Sequence, residues 1–201
     1  MTVNYFENIK DIIVSIAATV TAAAAAVGVT QWRKELRGRA KFDASRNLLR
    51  SAYRLRDSIA GCRAPFVRAG EFPPGYTGIK ATPDEDANAW AHVYESRFRG
   101  VRDAAAELLS HALEGEVILG KDIREPVDNL HRCAHALQSA ISAWIENKAS
   151  AGSNFASSVD FAKSVQATLF SAIGTNENPF TVDLTTALGD LESKLRQHLE
   201  R

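Results

Sequence analysis

Asp128, His131 and His135 stand in the run DNLHRCAH with D-x-x-H and H-x-x-x-H spacing. On a helix, that spacing can turn a carboxylate and two imidazoles toward one metal ion, as in bundles whose ligands project inward from facing helices. Glu107, His111 and Glu114 could supply a second carboxylate-and-histidine set. The apolar periodicity argues against both. With Val127, Leu130, Ala134 and Leu137 at core positions, Asp128 and His135 fall on the solvent side. Glu107 and Glu114 lie equally off the stripe that Ala105 and Leu108 define. No metal site is expected.

Cysteine chemistry needs a histidine held beside a thiolate. Cys133 sits two residues from His131 and two from His135, and residues two apart on a helix point in different directions. Cys62 belongs to an apolar stripe. Neither cysteine takes part in a C-x-x-C or zinc-like spacing, so both read as free thiols in a reducing compartment. The chain has no G-x-S-x-G, P-loop, H-E-x-x-H or G-x-G-x-x-G. The expectation is a protein without catalytic residues or cofactor.

The elements that would carry any such groups are helices. Apolar residues recur with a period near 3.5 in four segments. These are Leu48, Ala52, Leu55, Ile59 and Cys62, which Trp32 and Leu36 extend N-terminally; Trp90 through Tyr94, Phe98, Val101, Ala105 and Leu108 to Ala112; Val127 through Leu130, Ala134, Leu137 and Ile141 to Trp144; and Phe180 through Leu184, Leu188, Leu191 and Leu195 to Leu199. Four such stripes bury one another in an antiparallel bundle. A shorter fifth helix is expected between Asn154 and Ile173, on Phe155, Val159, Ala162, Leu169 and Ile173. Val117-Ile118-Leu119 is too short to start a sheet. A long connection at about 63–88 holds Pro65, Pro73, Pro74 and Pro83. Its aromatics Phe66, Phe72 and Tyr76 mark it as the place to seek a protein contact, packing either on the bundle or on a partner.

Ahead of the bundle, the nineteen residues Ile12 to Thr30 carry no charge and no proline. As a helix they span roughly 28 Å, close to the hydrocarbon core of a bilayer. A buried core helix would rarely stay uncharged so long and then turn strongly basic. A cleaved signal peptide would begin with positive charge, whereas residues 1–11 carry Glu7, Lys10 and Asp11, a net −1. The expected element is an uncleaved transmembrane anchor in residues 1–31, its lipid-facing side chains including Ile12, Ile13, Val14, Ile16, Val20, Val27 and Val29. Residues 32–201 form the bundle. Ala18, Ala22 and Ala26, like Ala24 and Gly28, recur every four positions and would let such helices approach closely as a homo-oligomer. In a run of five alanines the same spacing also arises by chance.

The net charge of zero conceals a division. Residues 31–68 hold eleven basic and three acidic residues, a net +8, and residues 69–201 carry −7. Lys and Arg beside a span stay in the cytoplasm, which places the N-terminus outside and the bundle inside. Trp32, Arg33, Lys34, Arg37, Arg39 and Lys41 would then lie at the interface, facing anionic lipid headgroups. The later arginines are expected to pair with the acidic helices. Nucleic acid is a weaker partner for this segment, because the topology rule accounts for its first charges and no stacking aromatics interleave them.

The run from Gln31 to Ala69 resembles a group of small uncharacterised bacterial proteins with one N-terminal transmembrane helix and a cytosolic helical domain. Trp32, Arg33, Lys34, Glu35, Leu36 and Gly38 carry the junction, Tyr53, Leu55, Arg56, Asp57 and Ile59 the following helix, and LGDLESKLRQHL the ending. The resemblance covers about a third of the chain. It implies an all-helical protein of the bacterial inner membrane and brings no activity with it. The function expected is that of a non-enzymatic membrane-anchored interaction or assembly module with an unidentified protein partner. The rivals are a membrane-perturbing effector that oligomerises through the small-residue helix, and a soluble helical protein that binds nucleic acid.

Overall fold

The structure is a computed structural model. It describes the backbone of residues 3–170 and 178–199, with side chains from Val14 onward. Ile173, and the side chains of Ile12 and Ile13, lie outside the described residues. Every regular element described is helical: α1 (Val3–Cys62), α2 (Pro83–Leu119), α3 (Arg124–Ala149), α4 (Ser153–Ala156), α5 (Val159–Leu169) and α6 (Pro179–Leu199), with 3-10 turns at Ala69–Glu71 and Lys121–Ile123. The contacts divide the chain into two units, Met1–Phe42 and Asp43–Arg201.

In the first unit the expected span and the basic residues after it form one unbroken helix. Alanine, the best helix former, makes up its centre. Its hydroxyls are satisfied locally: Thr19 donates to the Ser15 carbonyl, Thr21 to that of Ala17 and Thr30 to that of Val27, each at 2.8 Å. A hydroxyl bonded back onto its own helix needs no outside partner.

The second unit is an antiparallel bundle of the C-terminal part of α1 with α2, α3 and α6, and α5 packs against α3 and α6. Rising numbers in α1 meet falling numbers in its neighbours. Leu48 lies beside Gly115, Arg54 pairs with Glu107, and Ser58 lies beside Gly100. Tyr53 donates to Glu192 at 2.8 Å, and Arg63 to Thr181 at 3.1 Å. Gly115 has a specific use here, because a Cβ would come within 2.7 Å of Ile123 Cδ1 and 3.6 Å of Leu48 Cδ2. Its absence lets α2 close on both neighbours.

The four heptad stripes are the core. Leu48, Leu55, Ile59, Val101, Leu108, Leu130, Leu137, Leu191 and Leu195 are completely buried, and the ends at Trp90, Trp144 and Leu199 are half-exposed. Trp32 and Leu36, the expected extension of the first stripe, are exposed and outside the core. Two boundaries differ from expectation. The long connection stops at Thr82 rather than at about 88, because Thr82 caps α2. Its Oγ1 accepts from Glu85 N at 3.3 Å, Glu85 Oε2 accepts from Thr82 N at 2.8 Å, and Pro83 opens the first turn. The expected fifth helix is broken into α4 and α5 at Ser157-Ser158, where Val159 is exposed and Val165 takes the buried position with Leu169.

Arg63, just past the end of α1, is a buried cation, 3% exposed, whose hydrogen bonds among the described residues all go to uncharged oxygens. Its guanidinium donates to the carbonyls of Thr168 (2.7 Å) and Ala167 (3.0 Å), to Thr181 Oγ1 (3.1 Å) and to Asn178 Oδ1 (3.3 Å), and lies 4.4 Å from the centre of the Phe180 ring. It joins the end of α1 to the C-terminal turn of α5 and the start of α6. Burial pulls its pKa down, but a guanidinium so placed remains charged at neutral pH.

Leu137→Ala should cost about 2–5 kcal/mol in chemical unfolding, since the site is sealed on every side. Arg63→Ala should cost about 2–4 kcal/mol, because a buried cation and its four hydrogen bonds are lost, leaving the Thr168 carbonyl and Thr181 Oγ1 without that donor. A loss below about 0.5 kcal/mol in either variant would contradict the packing described.

Candidate functional site

The connection at 63–82 is folded onto the N-terminal half of α2 by two polar clamps. Arg97, on α2, donates to the Ala64 carbonyl (2.7 Å), the Phe66 carbonyl (2.7 Å) and both oxygens of Glu71 (2.6 and 3.0 Å). The fork of one guanidinium thereby fixes both the first turn of the connection and its 3-10 turn. The hydrogen bond from Arg97 is the main reason that the Glu71 carboxyl falls to about 2, helped by the Arg68 amide. The second clamp is Asp86, which accepts from the Tyr76 hydroxyl and from Lys148 Nζ at 3.0 Å and lies near the Trp90 indole. Burial pushes this carboxyl up, and the three neighbours together hold it below its ordinary value. The same bond pushes the Tyr76 phenol up to about 12.

Between the clamps lies an aromatic seam. Phe72 stacks on Tyr76 at 5.0 Å and meets Trp90 edge-on at 5.3 Å. Trp90 meets Trp144 of α3 at 6.1 Å, and Trp144 continues to Phe155 and Phe170. Lys148 Nζ sits 5.4 Å from the Trp90 ring and 5.5 Å from the Trp144 ring, so its ammonium is shared between two π faces and the Asp86 carboxylate. Of the three aromatics marked in the connection, Phe72 and Tyr76 are therefore spent on the bundle itself. Only Phe66, 75% exposed, stands free for contact, with Ile79 further along at 78%.

The other sequence candidates are dispersed. Asp128 and His135 are exposed, while His131 is half-buried with its ring 4.6 Å from that of His135. Among the described residues, His, Cys, Asp and Glu form no group of three placed to hold a metal ion. Cys62 and Cys133 are buried, and burial raises both thiols, Cys62 to about 11. Both are held protonated at neutral pH and away from solvent. Arg33, Lys34, Arg37, Arg39 and Lys41 are exposed, as is Trp32. Arg39 reaches Glu35 at 2.7 Å one turn back, an exposed pair of little energetic weight. Of the later arginines, Arg54 pairs with Glu107 of α2 as expected, while Arg56 bonds to its neighbour Asp57 and lies 4.8 Å from the centre of the Tyr53 ring.

The donor fork of Arg97 and the sharing of Lys148 were not foreseen. Arg97 lies one residue off the core stripe at Phe98 and reads as surface charge. The Thr82-Pro83-Asp84-Glu85 capping signature was present in the chain and marks where the connection must end. Protein-family models, curated proteins and solved structures offer no match to the chain.

The Glu71 clamp sets a pH dependence with a definite sign. Its folded pKa of about 2 lies below the ordinary 4.5. Its contribution is therefore complete above about 4.5 and is lost as pH falls through the interval down to about 2. Tryptophan fluorescence should report the release of Phe72 from Trp90 over that interval, and Glu71→Gln should lack this step. An identical acid titration in the two proteins would show that Glu71 does not hold the connection.

Proposed function

We propose that the chain is a non-enzymatic, single-pass membrane protein whose helical unit serves as an interaction module held at the bilayer surface. One observation carries this reading. Val14, Ile16, Val20, Val27 and Val29 are 47–67% exposed on a helix long and apolar enough to cross a membrane, and none of its most apolar window is buried. Water would penalise such a surface at about 25 cal/mol per Å² of apolar area, whereas hydrocarbon would not. The exposure also speaks against the rival reading of a core helix, which would be covered by its own chain. The locally bonded threonines suit the same environment, since each hydroxyl enters hydrocarbon already satisfied.

The orientation follows from Arg33, Lys34, Arg37, Arg39 and Lys41, all within eleven residues of Thr30. They favour a cytoplasmic bundle and an external N-terminus. Each cation close to an anionic inner leaflet contributes about 1 kcal/mol, fading within a Debye length. A bacterial inner membrane is the setting implied by the junction from Trp32 to Gly38. Within the 63–82 connection, exposed Phe66 is the aromatic available to a protein partner. Self-association through the small residues of the span is compatible with this reading and is not needed for it.

Alkaline carbonate extraction tests the anchor. The full chain should remain with the membrane pellet, and residues 31–201 expressed alone should move to the supernatant. A full chain recovered in the supernatant would overturn the reading. External protease should remove a tag at the N-terminus and spare one at the C-terminus. The reverse pattern would overturn the orientation alone.

A further inference from the structure

Between Phe98–Leu109 of α2 and His131–Gln138 of α3 the two helices do not close completely. They leave a cleft of about 220 Å³. Its floor is apolar and buried, formed by Phe98, Val101, Ala105 and Ala134. Its polar lining residues are Arg102 from α2, and His131, His135 and Gln138 from α3. None of the lining residues is a carboxylate, in a unit whose overall charge is acidic beyond residue 68. The mouth thus offers a permanent cation, two imidazoles and an amide, all able to donate hydrogen bonds. The two imidazole rings stand only 4.6 Å apart, and burial and the neighbouring His135 both disfavour the charged form of His131.

A second observation extends the apolar floor. Leu109 lines the cleft and is also the first of three large apolar residues at four-residue spacing on the outer face of α2. Leu109, Leu113 and Val117 are 36, 66 and 87% exposed. They make an apolar track leading away from the cationic mouth. An anionic head with an unbranched hydrocarbon tail matches both parts. A cation is disfavoured by Arg102, and a purely apolar molecule leaves the donors of Arg102 and Gln138 unused.

We propose that this cleft binds a short-chain alkanoate, with its carboxylate against Arg102 and the His131–His135 pair and its alkyl chain on the floor toward Leu109. The volume limits the enclosed part to a small ligand, below the range of drug-sized sites. Proton linkage follows from the groups that face the imidazoles. These are Arg102 from α2, and from α3 Asp128, which favours the charged form of His131 while burial and His135 oppose it. A bound carboxylate adds to the side of Asp128, so binding favours the charged form of His131 and tightens as pH falls.

The test uses the full-length chain in lipid nanodiscs, with histidine ring signals followed by NMR, and with hexanoate, hexanol and hexylammonium as probes. Empty nanodiscs correct for partition into lipid. Hexanoate should shift the His131 and His135 signals and saturate with a Kd of about 1 mM or tighter, a realistic limit for so few atoms. Hexylammonium should leave them unmoved, and hexanol should bind more weakly than hexanoate. Arg102→Gln, at an exposed position that the core does not need, should weaken hexanoate roughly tenfold. Val117→Ser, beyond the enclosed part, should change it less than twofold. Equal shifts with hexylammonium, an unchanged Kd in Arg102→Gln, or no saturable shift with hexanoate would each overturn the proposal.

Discussion

The buried guanidinium of Arg63 is the constraint around which the bundle is arranged. A charge this far from water needs its donors satisfied, and among the described residues they go to oxygens that carry no charge. The chain meets that demand with the carbonyls of Ala167 and Thr168 at the end of α5, and with Asn178 and Thr181 at the start of α6. The last turn of a helix leaves acceptors open, and these carbonyls accept from Arg63, that of Ala167 also from Asn178 Nδ2. One side chain therefore solves two problems at once. It ends α1, closes the C-terminus of α5 and sets where α6 begins, and Phe180 completes its cover.

The same economy governs the other end of the 63–82 connection. A segment with prolines at 65, 73 and 74 cannot hold itself by backbone ladders, and it must borrow partners from a helix. Arg97 supplies donors to two of its carbonyls and to Glu71, while Asp86 gathers Tyr76, Trp90 and Lys148. Ion pairs on an open surface contribute little, but these are half-buried and share their oxygens with uncharged donors. The outcome is a connection fixed at its aromatics and left free at Phe66 and Ile79. A contact surface on a protein of this kind is thus formed by what internal packing leaves over.

The basic segment after residue 30 resolves into several roles. Its first charges are exposed on a helix whose preceding turns are apolar on every side, the arrangement that a bilayer and its headgroups favour. Arg54 crosses to Glu107, Arg63 enters the core, and Arg68 contributes its backbone amide to Glu71. A net charge counted along the chain treats these as equivalent, although their surroundings give them unrelated work.

Much of the architecture was legible in the chain. Period-3.5 spacing identified the four long helices and their buried faces almost residue by residue, because burying an apolar stripe is a local demand that any partner can meet. The uncharged run before Trp32 was equally plain, as was the off-stripe placing of Asp128 and His135. The break between α4 and α5 was not, since Val159 and Val165 are alike in type and only packing decides which is covered. Nor could spacing show that Phe72 and Tyr76 close onto Trp90 and Asp86, that Arg63 is internal, or that Arg102 and two histidines share a cleft without a carboxylate. Sequence alone determined the helices, their inward faces and the charge order along the chain, because those depend on neighbours three and four residues away. The tertiary structure alone decided which polar groups meet, because hydrogen bonds such as that from Arg63 to Thr181 join residues more than a hundred positions apart.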